Sequence, residues 1–163
     1  MRNSHRYFAV LSLVLLSGGY ATSILADESN PLLDRNMFSI GVGISDNSAN
    51  QFNNDETGFQ FFTAYDLNQV NVMEGVKSSV EIGFIDYGFP SDNTGIWANY
   101  VVDGLISGQL GWLARLGLDI GDDSGLMIGA GVSYATSEKI ELRVEYVTRD
   151  EVDSLQFNFL YQL

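Results

Sequence analysis

Apolar and polar residues alternate with a period of two through most of the chain after residue 26. In residues 37–45, apolar side chains occupy every second position, and Gly or Ser separates them. This period places successive side chains on opposite faces of a β-strand. Seven further stretches repeat the alternation, at residues 59–67, 77–87, 96–106, 110–120, 126–134, 140–146 and 155–163. The pattern therefore predicts eight strands.

Short stretches of turn-forming residues separate the strands. Asn, Asp, Gly and Ser dominate them, and these residues favour turns because they tolerate or stabilise tight backbone conformations. The stretches are residues 46–56, 68–75, 89–93, 107–108, 121–125, 136–137 and 149–153. Connections this short predict consecutive antiparallel neighbours, and no linker or second domain is visible between them.

The two faces of the predicted strands differ in side-chain size. One face carries bulky apolar and aromatic residues, whereas the other is rich in Gly and Ser with scattered charges. The lumen of an eight-stranded barrel is narrow, so the bulky set would overpack it. Turning that set outward onto lipid removes the conflict, and about 9 to 11 tilted residues per strand suffice to cross the hydrocarbon. We predict an all-β, eight-stranded antiparallel up-and-down transmembrane β-barrel; the alternative is a soluble periplasmic or secreted barrel that binds a small apolar ligand.

The first 26 residues have the layout of a cleavable signal peptide. Arg2 and Arg6 precede an apolar run of ten residues, which is too short to span a membrane as a helix. Cleavage after Ala26 fits best, and Gly19 with Ala21 offers a rival site. We therefore predict a signal peptide at residues 1–26 and an outer-membrane barrel domain at residues 27–163.

Composition narrows the possible chemistry. The net charge of −13 would become −15 without Arg2 and Arg6, which disfavours nucleic acid as a partner. The chain has no Cys, and its only histidine is His5, within the predicted signal peptide. We therefore expect no disulfide, metal, cofactor or catalytic residue, and hence no enzyme.

Charged residues on the inward face form a candidate structural network. A charge in a narrow, poorly hydrated lumen must be paired or it remains costly. Such pairing would plug the lumen and leave no open pore. The seven candidates are Lys77, Glu81, Asp103, Arg115, Glu141, Arg143 and Glu145.

Aromatic residues on the outward face are candidates for the girdles that membrane barrels place at the two bilayer interfaces. The candidates are Tyr65, Tyr100, Trp112, Tyr134, Tyr146 and Tyr161.

With Gly41-Val42-Gly43 in the first strand, a polar inner face and the closing run at residues 155–163, the chain resembles the small outer-membrane barrels of the OmpA membrane-domain and OmpX type. The resemblance implies periplasmic termini, a location in the cell outer membrane, and a structural or surface-interaction role. It also implies contact with outer-membrane lipid, lipopolysaccharide and the barrel assembly machinery, and we expect a monomer. In that group the machinery reads the last strand, which implies an assembly signal at Phe157, Phe159, Tyr161 and Leu163. Proteins of that family usually end in Phe or Trp, whereas this chain has Leu163 at that position. Gly is common in the family at the position that Asn158 occupies here.

Overall fold

The computed structural model describes residues 33–49, 55–67, 73–90, 94–121 and 124–163. A 3-10 turn at Arg35–Met37 precedes the strands. The strands are β1 Phe38–Ala49, β2 Asp55–Asp66, β3 Val76–Asp86, β4 Thr94–Ser107, β5 Leu110–Gly121, β6 Gly125–Ala135, β7 Ile140–Thr148 and β8 Val152–Gln162. Each strand pairs antiparallel with its neighbour in the chain, and β1 pairs with β8 to close the barrel. The predicted eight-stranded antiparallel barrel is confirmed.

The predicted signal peptide at residues 1–26 lies outside the described residues and stays a prediction. Within the described part of the chain, no helix is both long enough and apolar enough to cross a membrane.

The strands extend further than the alternation predicted at one end of the barrel. We call this the loop end, and the opposite end, where β1 begins and β8 finishes, the terminus end. Residues 46–49 belong to β1, residues 55–56 to β2, and residues 152–153 to β8, although all were predicted to lie in connections. Polar residues are common in these segments, so they look like turns in the sequence, while the backbone ladder continues through them.

The strands are staggered around the barrel. Following register partners from Phe38 once around the sheet returns to β1 at Ser48. This displacement of ten residues corresponds to about 33 Å along a strand and a strand tilt of about 40°. The stagger brings residues that are far apart in the sequence to the same level of the lumen.

Bulky apolar side chains point outward, as predicted. Ile44, Leu118 and Ile120 are 59%, 57% and 71% exposed, whereas their neighbours Ser45 and Asp119 are 2% exposed. A bulky apolar residue that faces outward on every strand is the arrangement a membrane barrel requires.

The lumen is less uniformly small and polar than the sequence suggested. Phe62, Trp97, Leu113 and Met127 are all buried inside it. The rings of Phe62 and Trp97 pack with centroids 5.5 Å apart. Gly83 lies so close to them that a Cβ there would overlap the Trp97 ring and the Cβ of Phe62. Glycine on one strand thus makes room for an aromatic ring on the next.

The outward aromatic residues are unevenly distributed. Tyr65, Trp112, Tyr134 and Tyr161 lie within three residues of a strand end at the terminus end of the barrel. Tyr146 lies toward the loop end and Tyr100 near the middle of its strand. Of the six predicted girdle residues, four therefore form a belt at the terminus end.

Candidate functional site

Four buried charged residues form an ion-paired cluster in the middle of the lumen, which we call the central network: Glu81, Arg115, Arg143 and Glu145. Nη2 of Arg115 lies 3.3 Å from Oε2 of Glu81 and also contacts Oε2 of Glu145. Nη1 of Arg143 donates to Oε1 of Glu81 at 2.6 Å. The four side chains are at most 8% exposed. Two cations balance two carboxylates, so the buried set is neutral.

Side-chain amides extend the central network toward β2 and β8. Nδ2 of Asn158 donates to Oε1 of Glu145 at 2.9 Å. Nε2 of Gln60 lies 2.7 Å from Oδ1 of Asn158 and 2.9 Å from Oε1 of Gln156. These bonds matter because a buried carboxylate needs hydrogen-bond donors as well as a countercharge.

The local sequence explains why these side chains meet. Arg143 and Glu145 are two residues apart on β7 and therefore share its inward face. Glu81 and Arg115 come from β3 and β5, and the stagger of the sheet brings them to the same level. The guanidinium of Arg115 also lies 5.6 Å from the ring centroid of Trp97, a cation–π contact.

A second cluster lies inside the loop end of the lumen, and we call it the loop-end network: Asn47, Tyr87, Asp119, Arg149 and Ser154. Tyr87 Oη donates to Asp119 Oδ2 at 2.5 Å, and Arg149 Nε donates to the same oxygen at 3.1 Å. Arg149 Nη1 donates to Ser154 Oγ at 2.8 Å, and Ser154 Oγ donates to Asn47 Oδ1 at 2.6 Å. Asn47 Nδ2 donates to the backbone carbonyl of Tyr87 at 2.8 Å, which closes the ring of contacts.

The loop-end network was not predicted from the sequence. Arg149 was predicted to lie in a turn, whereas its side chain is buried in the lumen. The alternation could have predicted the burial of Arg149, because residue 149 continues the series of inward positions 143, 145 and 147 on β7. Tyr87 likewise continues the inward series of β3.

The remaining predicted network residues lie at the terminus end. Glu141 pairs with Arg143, and its side chain is 35% exposed. Lys77 and Asp103 are register partners on β3 and β4. Lys77 is exposed and Asp103 is half-buried, and no ion pair within 4 Å involves either of them in the described part of the chain. The seven predicted residues are therefore split between two levels of the lumen.

The predicted assembly-signal residues lie on or just beyond β8. Phe157, Phe159 and Tyr161 point outward and are 49%, 40% and 37% exposed. Leu163 follows the strand, and its backbone N–H donates to the carbonyl of Phe38 at 3.0 Å. Within the described residues, no group of three or more His, Asp or Glu side chains is arranged to hold a metal ion.

Comparison with known proteins supports the architecture rather than an activity. No protein-family model matches the chain, and neither does any curated protein sequence. Among solved structures, a de novo designed transmembrane β-barrel aligns with a TM-score of 0.57 at 17% identity, covering 78% of this chain and 96% of that one. The chain has the fold of the small outer-membrane β-barrels.

Two natural barrels show the same likeness. Neisserial surface protein A aligns with a TM-score of 0.51 at 17% identity, covering 77% of this chain and 97% of that one. The outer membrane enzyme PagL aligns with a TM-score of 0.54 at 9% identity, covering 77% of this chain and 99% of that one. One of these relatives in fold is an enzyme, so the shared architecture does not by itself decide whether this barrel is one.

Proposed function

We propose that this protein is an integral outer-membrane β-barrel with a structural or surface-interaction role, and that its plugged lumen forms no open pore. The observation that carries the proposal is the division of side chains between the two faces of the sheet. Bulky apolar residues face outward, whereas paired charges and large buried side chains fill the inside. A soluble barrel that carries an apolar ligand would need the opposite arrangement.

The way in which the lumen is filled supports the proposal that no open pore exists. The central network, with Phe62 and Trp97 packed beside it, occupies the middle of the barrel. The loop-end network lies between the central network and the loop end, and it links β1, β3, β5, β7 and β8. An eight-stranded barrel is just wide enough for such side chains to fill, which leaves no room for a continuous column of water.

Planar-bilayer recording tests the plugged lumen. We expect the refolded protein to give no steady conductance above that of protein-free bilayers, with a large porin in the same bilayers as a positive control. Large steady conductance from the purified protein would contradict the proposal.

We also propose that the protein is not an enzyme. The only histidine precedes the barrel, at position 5. Glu81 and Glu145 are held in buried ion pairs, which suits a structural role better than proton transfer to a substrate. Incubation with phospholipid and lipopolysaccharide, followed by mass spectrometry of the lipids, should show no change in acyl content. Release or transfer of an acyl chain would contradict this part of the proposal.

The proposed location is the outer membrane, with both termini in the periplasm and the loop end outside the cell. Exposed acidic residues at the loop end, including Asp46, Asp55, Asp150 and Glu151, would form the surface available for contact with other molecules. We further propose that the outward aromatic residues of β8 and Leu163 guide assembly by the barrel assembly machinery, and that the folded protein is a monomer embedded among outer-membrane lipids and lipopolysaccharide.

Membrane fractionation combined with protease shaving of intact cells tests the location. We expect extraction only with detergent, heat-modifiable migration on gels, and cleavage confined to the loop end. A protein that stays monomeric in buffer without detergent would favour the soluble alternative.

A further inference from the structure

Two rows of apolar side chains cross the outer face where β8 meets β1. Each row contains one residue from each of four strands, and neighbours within a row are register partners. The first row is Leu142, Phe159, Val42 and Phe61, and the second is Val144, Phe157, Ile44 and Phe59.

A slot of about 600 Å³ lies between the two rows. Its floor is the intervening row, Arg143, Asn158, Gly43 and Gln60, whose polar side chains are directed into the lumen. The rows are two residues apart along each strand, so the Cα atoms of the two walls are separated by about 7 Å and the slot between their side chains is narrower than that; it extends about 14 Å across the four strands. Its walls are entirely apolar, and each of the four strands at the seam contributes a branched or aromatic side chain to both walls.

The width of the slot limits what can enter it. An α-helix is about 10 to 12 Å across with its side chains and is too wide. The convex outer face of a second barrel cannot reach the floor of the slot either. A single extended hydrocarbon chain is narrow enough, and the apolar walls would bury it on both sides.

A cation lies beside the slot at the terminus end. Tyr161 lies on β8 directly beyond the first row, where it is the register partner of Ile40 and Ile140. Nζ of Lys139 lies 5.7 Å from the centre of the Tyr161 ring. Lys139 is exposed at the level of the aromatic belt, where lipid phosphates would lie. Its charge is complementary to that of an anionic headgroup.

We infer that the slot and Lys139 together bind one anionic phospholipid of the terminus-side leaflet. One acyl chain lies between the two apolar rows, and the phosphate pairs with the Lys139 ammonium group. This inference rests on the membrane location proposed above. It assigns a ligand to one seam of the barrel rather than to the whole outer face.

Native mass spectrometry of the refolded protein in detergent, titrated with dioleoylphosphatidylglycerol, tests the inference. We expect one lipid to be retained per barrel. Truncating one large residue in each wall with Phe61→Ala and Phe157→Ala should abolish that retention, because the acyl chain loses buried apolar contacts on both sides. Lys139→Gln should weaken it about fivefold, and should remove the preference for phosphatidylglycerol over phosphatidylcholine.

The matched control lies on the opposite side of the barrel. Leu116 and Ile128 are outward register partners on β5 and β6. The variant Leu116→Ala with Ile128→Ala removes a comparable apolar pair and should leave lipid retention unchanged. Heat-modifiable migration on gels confirms that each variant is folded before it is compared.

Equal retention by the wild type and the slot variants would overturn the inference, as would equal loss in the control variant or a protein dimer in place of the lipid complex. Competition by glycerol phosphate alone would also overturn it, because the headgroup would then bind without the slot. A protein that needs no detergent would instead overturn the proposed membrane location. The two failures can therefore be told apart.

Discussion

The central network and the charges at the terminus end both consist of acidic and basic residues on the inward faces of the strands. In the central network, Arg115 and its two carboxylate partners are at most 1% exposed in their side chains. At the terminus end, Lys77 is exposed and the side chain of Glu141 is 35% exposed. Water can solvate the second set but not the first. The comparison teaches that position along the lumen, more than charge, decides whether water can reach an inward ionic residue.

The largest effect should come from breaking the central network at its centre. The variant Arg115→Met removes the cation between Glu81 and Glu145 and leaves two buried carboxylates with one fewer countercharge. We expect a loss of about 3 to 5 kcal/mol in the free energy of unfolding. Urea-induced unfolding from phospholipid vesicles measures this loss.

A compensated variant sharpens the same test. Adding Glu145→Gln to Arg115→Met restores the neutrality of the buried set, because Arg143 still pairs with Glu81, and we expect much of the lost stability to return. If the single variant costs less than about 1 kcal/mol, the central network is not the buried unit described above.

The outer face offers the same contrast between middle and end, with a somewhat smaller effect. Leu116 faces outward near the middle of β5 and is 54% exposed. We expect Leu116→Arg to destabilise the barrel by about 2 to 4 kcal/mol in vesicles. The matched variant Leu105→Arg, at the terminus end of β4, should cost about 0 to 1 kcal/mol. Equal costs at the two positions would mean that the bilayer does not surround the band of apolar residues.

The loop-end network should respond less strongly to a single substitution. Tyr87→Phe removes one hydrogen bond to Asp119 and leaves the ion pair of Asp119 with Arg149 in place. We expect a loss of about 1 to 3 kcal/mol in the same unfolding experiment. An unchanged midpoint would show that the Tyr87 hydroxyl does not contribute to closing this end of the lumen.

The smallest effect is expected at the terminus end. Lys77→Ala removes an exposed cation that faces Asp103 across the β3–β4 pair. We expect a change of about 0 to 1 kcal/mol, which should shrink further at high salt because water and ions screen the interaction. A loss comparable to that of Arg115→Met would erase the distinction between the two levels of the lumen.

Alternation in the sequence was sufficient to predict the strands and the direction of most side chains. A period of two assigns each residue of a strand to a face without any knowledge of its partners. It also placed Glu81, Arg115, Arg143 and Glu145 on the inward face together. The strand ends were harder, because polar residues such as those at positions 46–49 have the composition of a turn while they continue the ladder.

The pairing within the lumen was not accessible from the sequence. Whether Arg115 meets Glu81 or Asp103 depends on the register of β3, β4 and β5, and one strand alone does not determine that register. The burial of Arg149 was not predicted for a related reason. Arg149 follows the last residue of β7, and its burial depends on contacts with β5 and β8. The apolar slot across β7, β8, β1 and β2 also exists only once the barrel has closed.

A spin-label scan along β8 tests the orientation of the strands most directly, and the absence of cysteine from the chain makes single-cysteine labelling straightforward. Labels at positions 155, 157, 159 and 161 should be relaxed strongly by oxygen dissolved in the bilayer. Labels at positions 154, 156, 158 and 160 should be shielded from oxygen. The reverse alternation, with the Phe157 and Phe159 positions shielded and the Gln156 and Asn158 positions accessible, would contradict the membrane barrel.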